Sequence, residues 1–184
     1  ADYWHTDQSY DADPVTATML YSIINPDEGG ETQFADTAEA YAALPPATRE
    51  QVDDLHVTHR YGAASRGKVA TITAQQREQV PAVRHPLVRH HPVSGRRSLY
   101  ALCGTPECIE GFTPSDSEAL LETLRAHTLS ERFIYRHRYS PGDLVVWDTT
   151  ATLHAATTIP KASGPQDSRL LWRISVRGWP DLPA

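Results

Sequence analysis

Cysteine is scarce in this 184-residue chain, confined to Cys103 and Cys108. Two are too few for a disulfide framework, and no partner at ligand spacing makes them a zinc site. They read as free thiols of a reducing, cytoplasmic compartment. No run approaches the roughly eighteen apolar residues of a membrane span. No secretory leader pattern is visible, the start being acidic and aromatic. Excess positive charge is missing too: net charge is −6 and the pI about 5.8. That balance argues against a nucleic-acid partner. The basic stretch from Arg84 to Arg97 is broken by apolar residues and prolines and reads as a solvated strand-and-turn region. Internal repeats and low-complexity segments are absent. Homo-oligomerisation is left open. A hydrophobic content of 40% and a charged content of 22% describe an ordinary globular protein with room for one substantial core.

What is present is a series of short strand patterns separated by Pro/Gly turns. Residues 15–24 are β-branched and apolar and predict a buried strand. Pro26 to Gly30 predicts a turn, Glu31 to Phe34 a strand, and Asp36 the cap of a short helix through Tyr41. A second helix is expected over Ala47–Leu55 after Pro45-Pro46, and a strand over Val57–Tyr61. Gly62 to Pro81 has weak periodicity and reads as a mobile connection or lid. Leu87–His91 and Ser98–Leu102 frame a hairpin turn at residues 92–95. Ser115 and Glu118 have capping-box spacing ahead of a helix with Leu120, Leu121 and Leu124 on one face. Phe133–Tyr139, Leu144–Asp148 and Arg169–Arg177 predict strands, with Ser140 to Asp143 as a type II turn. Many short strands and few helices indicate a mainly β sandwich or barrel.

Trp4-His5-Thr6-Asp7 carries the clearest chemistry. A His and an Asp two apart on a strand share a face. With His154 they make two imidazoles and one carboxylate, which fill one face of an iron octahedron and leave three positions open. His-x-Asp by itself says little, because 9 His and 13 Asp in 184 residues give about 0.6 such pairs by chance. Its weight comes from the company it keeps. Arg169 and Arg173 stand four apart on a predicted strand and face one side, with Leu170, Trp172 and Ile174 on the other. Two guanidinium groups aimed into a barrel need anions, and no Asp or Glu lies near Arg173 in sequence. Their planar forks suit carboxylates. Thr32 follows the Gly29-Gly30 turn.

The order of these motifs resembles the taurine dioxygenase family, which includes the 2,4-dichlorophenoxyacetate dioxygenases. The matching stretches are WHTDQSY (4–10), GGETQFADTAEAYAALP (29–45), RHPLVRHHPVSGRRSLY (84–100), YRHRYSPGDLVVWD (135–148), ATLH (151–154) and RLLWRISVRG (169–178). The resemblance implies a double-stranded β-helix, or jelly-roll, core with a few flanking helices. It implies Fe(II), 2-oxoglutarate and O₂ as the reacting set. It implies His5, Asp7 and His154 as iron ligands and as the catalytic centre. It pairs Thr32 with Arg169 on the distal carboxylate of 2-oxoglutarate, gives Arg173 an anionic substrate group, and places the loop with Thr105 beside the substrate. The reaction implied is hydroxylation of a small organic anion, carboxylate or sulfonate, yielding succinate and CO₂. Members usually carry a sizeable N-terminal portion before the WHTD motif, and residues 1–184 are expected to be a single jelly-roll domain lacking it. Lys161 to Gln166 reads as a loop insertion, and Asp148-Thr149-Thr150 replaces the usual Asp-Asn-Arg. Two other readings of the residues stand beside this one. A zinc hydrolase could use the same His₂-carboxylate set, without a role for Arg169 and Thr32. A non-catalytic jelly-roll binding module could retain it without turnover.

Overall fold

The computed structural model describes residues 3–62, 73–159 and 168–178. In chain order the elements are β1 (Ala17–Ile24), β2 (Thr32–Asp36), α1 (Thr37–Ala42), α2 (Pro46–Val52), β3 (His56–His59), α3 (Ala74–Gln79), β4 (Val83–Pro86), β5 (Val88–His90), β6 (Arg97–Leu99), β7 (Pro106–Ile109), α4 (Pro114–Thr128), β8 (Ile134–His137), β9 (Leu144–Asp148), β10 (Thr152–Ala156) and β11 (Leu170–Val176). The architecture is the expected jelly-roll core with flanking helices. One antiparallel sheet runs β11-β1-β9 and a second β10-β2-β8. A third sheet, β4-β3-β7, and the β5-β6 hairpin complete the strands among the described residues.

Alternation within the first two sheets decides what meets what. Thr18, Leu20, Val145, Trp147 and Arg173 stand in register across β1, β9 and β11 and face the second sheet. That sheet answers with Phe34 and His154, paired across β2 and β10, and Trp147 packs 5.2 Å from Phe34 and 4.9 Å from His154. The neighbouring pair Ala35 and Leu153 points the other way. It joins Val57, Ile109, Leu121 and Leu124 in the main apolar core. The opposite face of β11-β1-β9 is uncovered among the described residues: Leu144, Val146, Trp172 and Ile174 are 56–65% exposed. Alternation placed Leu170, Trp172 and Ile174 opposite the two arginines, as found.

Several local expectations need correction. The 62–81 stretch is not uniformly irregular. Thr73 and Gln76 form a reciprocal capping box that starts α3, and 63–72 lie outside the described residues. The long helix α4 is capped by Thr113, which accepts from the Asp116 N–H, and not by Ser115. Pro114 at the first helical position fixes that start, since its φ is pre-set and it has no N–H to satisfy. Strands β4 and β7 were not anticipated, whereas His154 lies on a strand, β10, as expected. The Lys161–Gln166 insertion lies outside the described residues. No helix among the described residues is long and apolar enough to cross a membrane.

Candidate metal centre

His5 enters the site on a single antiparallel bridge to His154, made by reciprocal backbone bonds of 3.0 Å. That bridge sets the two imidazoles side by side, with ring centroids 4.2 Å apart. Asp7 is not on a strand, as the sequence suggested, but at the start of a turn spanning residues 7–10. Gln8, with φ at 51°, turns the chain there. The Asp7 carboxylate still reaches the imidazoles: its Oδ1 lies 3.6 Å from His5 Nε2 and 3.7 Å from His154 Nε2. All three ligand atoms lie within 4.8 Å of one another, the one such cluster among the described residues. Ligands on one octahedral face would stand about 3.0 Å apart at ordinary bond lengths. The triangle is thus slightly open and of the right size for one ion.

Its electrostatics suit a cation. His5 Nδ1 lies 3.0 Å from the Tyr3 carbonyl, which can only accept, so the proton sits on Nδ1 and the Nε2 lone pair faces the site. Burial of His154, helped by neighbouring His5, pushes its pKa down to about 3 and keeps the ring neutral. Burial disfavours the Asp7 carboxylate. The Arg173 guanidinium, 2.8 Å away, and the Thr18 hydroxyl outweigh it and hold Asp7 well below the usual carboxylate range. Thr18 Oγ1 donates to Asp7 Oδ2 at 2.8 Å, leaving Oδ1 to face the histidines.

Arg173 corrects a second expectation. Its Nη2 lies 2.8 Å from Asp7 Oδ1, so it has a carboxylate partner after all. That partner is 166 positions away in sequence and adjacent only through the fold. The need for a counter-ion therefore does not by itself demand an anionic substrate. Arg173 is half exposed, and one of its donors is engaged this way.

The remaining residues divide cleanly. A cleft of about 150 Å³ is lined by His5, Leu20, Thr32, Trp147, His154, Ala156, Arg169 and Arg173. Arg169 Nη2 donates to Thr32 Oγ1 at 3.3 Å, and its guanidinium carbon sits 5.4 Å from the Tyr139 ring centre. Its Nε is buried without a partner. Burial lowers the Arg169 pKa, so the charge is held at a cost that a carboxylate in the cleft would relieve. Gly30 makes room for it: with φ at +74°, a Cβ there would meet Arg169 Cδ at 3.1 Å. Tyr139, not singled out in the sequence, bonds Thr32 Oγ1 at 2.9 Å and completes this cradle. Its place in the YRHRYSPGD stretch was the available signal. Thr105 lies elsewhere. Its hydroxyl is 2.7 Å from Ser9 Oγ and 2.9 Å from His59 Nδ1, behind the Asp7 turn, and Thr105 is not among the residues lining the cleft. Thr149 donates to the Val15 carbonyl and Thr150 to Asp148, so the altered tripeptide ties down the β9–β10 corner.

Residues 1–175 match the family described as Taurine catabolism dioxygenase TauD, TfdA family. The chain belongs to the TauD/TfdA family. Among its TauD/TfdA relatives is the alpha-ketoglutarate-dependent 2,4-dichlorophenoxyacetate dioxygenase of Cupriavidus pinatubonensis. It is 35% identical over 153 residues, covering 82% of this chain and 53% of the relative. The alpha-ketoglutarate-dependent sulfate ester dioxygenase of Pseudomonas putida is 35% identical over 170 residues, covering 85% and 54%. The chain thus spans about half the length of these relatives. A crystal structure of AAD-2 in complex with Mn(II) and N-oxalylglycine superimposes with a TM-score of 0.86 at 32% identity, covering 96% of this chain and 67% of the other.

Proposed function

We propose that this chain carries the metal site of an Fe(II)- and 2-oxoglutarate-dependent dioxygenase that oxidises a small organic anion, carboxylate or sulfonate. The observation that carries this reading is one cleft lined both by His5 and His154, which close the metal triangle with Asp7, and by Thr32 and Arg169, which form the cradle with Tyr139. A two-histidine, one-carboxylate face leaves coordination positions for other molecules. The buried, unpartnered Arg169 Nε marks where a carboxylate would be received. Iron and 2-oxoglutarate, with O₂, supply the oxidising chemistry, leaving succinate and CO₂.

The protein's own part is binding and orientation. His5, Asp7 and His154 hold the metal. Arg169 grips the far carboxylate of 2-oxoglutarate, and Thr32, braced by Tyr139, fixes the direction of that grip. Trp147 and Phe34 wall the site with apolar surface and limit water. The exposed part of Arg173 faces the same cleft and is suited to a substrate anion. The names of the relatives, acting on a phenoxyacetate and on sulfate esters, favour that substrate class. Zinc hydrolysis would leave the Arg169 cradle without a role. The domain reading, one jelly-roll unit, rests on the shared core and on the site being built from strands of both sheets. Free Cys103 and Cys108 accord with a reducing, cytoplasmic setting.

The direct test is anaerobic addition of Fe(II) and 2-oxoglutarate. A weak visible charge-transfer band is expected, followed on exposure to O₂ by succinate release that rises with small carboxylates or sulfonates. Turnover of their neutral esters at the same rate would remove Arg173 from substrate binding. Arg169→Ala is expected to cost on the order of 2–5 kcal/mol of 2-oxoglutarate binding. The midpoint of the charge-transfer titration should therefore rise by roughly thirtyfold or more. An unchanged midpoint would show that Arg169 does not hold the co-substrate.

A further inference from the structure

The turn that presents Asp7 is held from behind by side chains that take no part in metal or co-substrate binding. Ser9, fully buried, donates through Oγ to the Thr6 carbonyl at 3.3 Å. Its oxygen lies 2.7 Å from Thr105 Oγ1, which lies 2.9 Å from His59 Nδ1. His59 is on β3 and 1% exposed. The direction of this chain follows from its last member. A carbonyl only accepts, so Ser9 uses its single hydrogen there. Thr105 must then donate to Ser9, and His59 must donate to Thr105 from Nδ1–H. Each hydrogen finds an acceptor in that one arrangement, and the buried Nε2 of His59 is left as a bare lone pair, in keeping with its lack of a partner.

A second imidazole holds the far end of the same turn. His85 lies with Nε2 2.9 Å from the Asp11 carbonyl, so Nε2 carries its proton, and Nδ1 accepts from Arg89 Nη2 at 3.2 Å. The two rings stand 5.4 Å apart. Burial, with His85 and Arg89 close by, keeps His59 neutral, as the donor chain requires.

We propose that His59 is a positioning residue for the carboxylate ligand. Acting through Thr105 and Ser9, it fixes the Thr6 carbonyl and so the direction in which Asp7 leaves the chain. Gln8 has a positive φ, an arrangement a side-chain-bearing residue adopts only when its surroundings impose it. The relay from β3 is such an imposition. It assigns Thr105 to support of the metal site in place of contact with substrate. This inference rests on the reading of His5, Asp7 and His154 as metal ligands.

Co(II) titration followed by visible absorption, without 2-oxoglutarate or substrate, tests it. Loss of a partner supporting a metal ligand typically costs 10–100-fold in affinity, and His59→Leu and Thr105→Val are expected to lose about tenfold. His59→Asn places an amide N–H where Nδ1–H stands and should recover to within about threefold of the parent. Circular dichroism at the titration temperature confirms that each variant counted is folded. If His59→Leu does not fold, Thr105→Val, nearly equal in shape, decides alone. Asp7→Ala is the control. Parent-like Co(II) affinity in Thr105→Val or in folded His59→Leu would overturn the relay while leaving the metal centre standing, as would an Asn variant no better than Leu. Failure of the parent to bind Co(II), or undiminished binding by Asp7→Ala, would overturn the metal centre and the relay with it.

Discussion

Asp7→Ala is expected to abolish succinate formation and to weaken Fe(II) binding by more than about a hundredfold while leaving the fold intact. Asp7 Oδ1 is the one anionic atom facing both imidazoles, at 3.6 and 3.7 Å. Without it the site offers two neutral nitrogens beside a guanidinium, an arrangement that repels a dication. The fold should tolerate the change for three reasons. Thr18 keeps a second partner in Ser175 at 3.0 Å. Arg173 is half exposed and can be solvated. Asp7 itself is a buried charge whose removal spares its desolvation. Metal affinity, succinate release and thermal unfolding of the variant check all three parts. Retained turnover would sink the ligand assignment.

Acid should unfold the metal-free protein early. His154 and His59 have pKa values pushed down to about 3, in both cases chiefly by burial, and burial also lowers His85. In the unfolded chain each would protonate near pH 6.5. Their contribution to stability is complete above that value. It is lost as pH falls from about 6.5 towards 3, because over that range the unfolded state takes up protons the folded state refuses. The loss is about 1.4 kcal/mol per pH unit for each such histidine. Below the ordinary carboxylate range Asp7 adds to it in the same direction, its pKa being depressed as well. Against a total stability of some 5–15 kcal/mol this is large. Urea midpoints measured with chelator at pH 7.5, 6 and 5 should fall steadily. A flat profile down to pH 4.5 would mean that these imidazoles are solvated in the folded state.

The two halves of this molecule were unequally legible in its sequence. Residues whose roles depend on motif order stood out: His5, Asp7, His154, Thr32 and Arg169 meet in space as the pattern implied. The strands β1 and β9 were visible because eight and five residues of suitable composition announce themselves. The four-residue strands β4 and β7 each include a proline, Pro86 and Pro106, which reads as a breaker and hides the strand pattern. The start of α4 was ambiguous because Thr113 and Ser115 both precede an acidic residue by three. The proline between them, at the first helical position, tells them apart. Contacts across the fold were beyond reach. The Arg173–Asp7 pair, and the junction of Thr105 with Ser9 and His59, join segments that no local pattern connects.

The uncovered face of the β11-β1-β9 sheet also decides how the chain behaves at the bench. Among the described residues, Leu144, Val146, Trp172 and Ile174 give it an exposed apolar surface that a phenyl-bearing matrix can hold. Sulfate, excluded from protein surfaces, strengthens that adhesion, so retention on such a matrix should rise with ammonium sulfate and fall on its removal. Trp172, 65% exposed, makes the same event optical. Its fluorescence shifts to shorter wavelength as water leaves the indole, while Trp147, already buried between the sheets, contributes an emission that does not change.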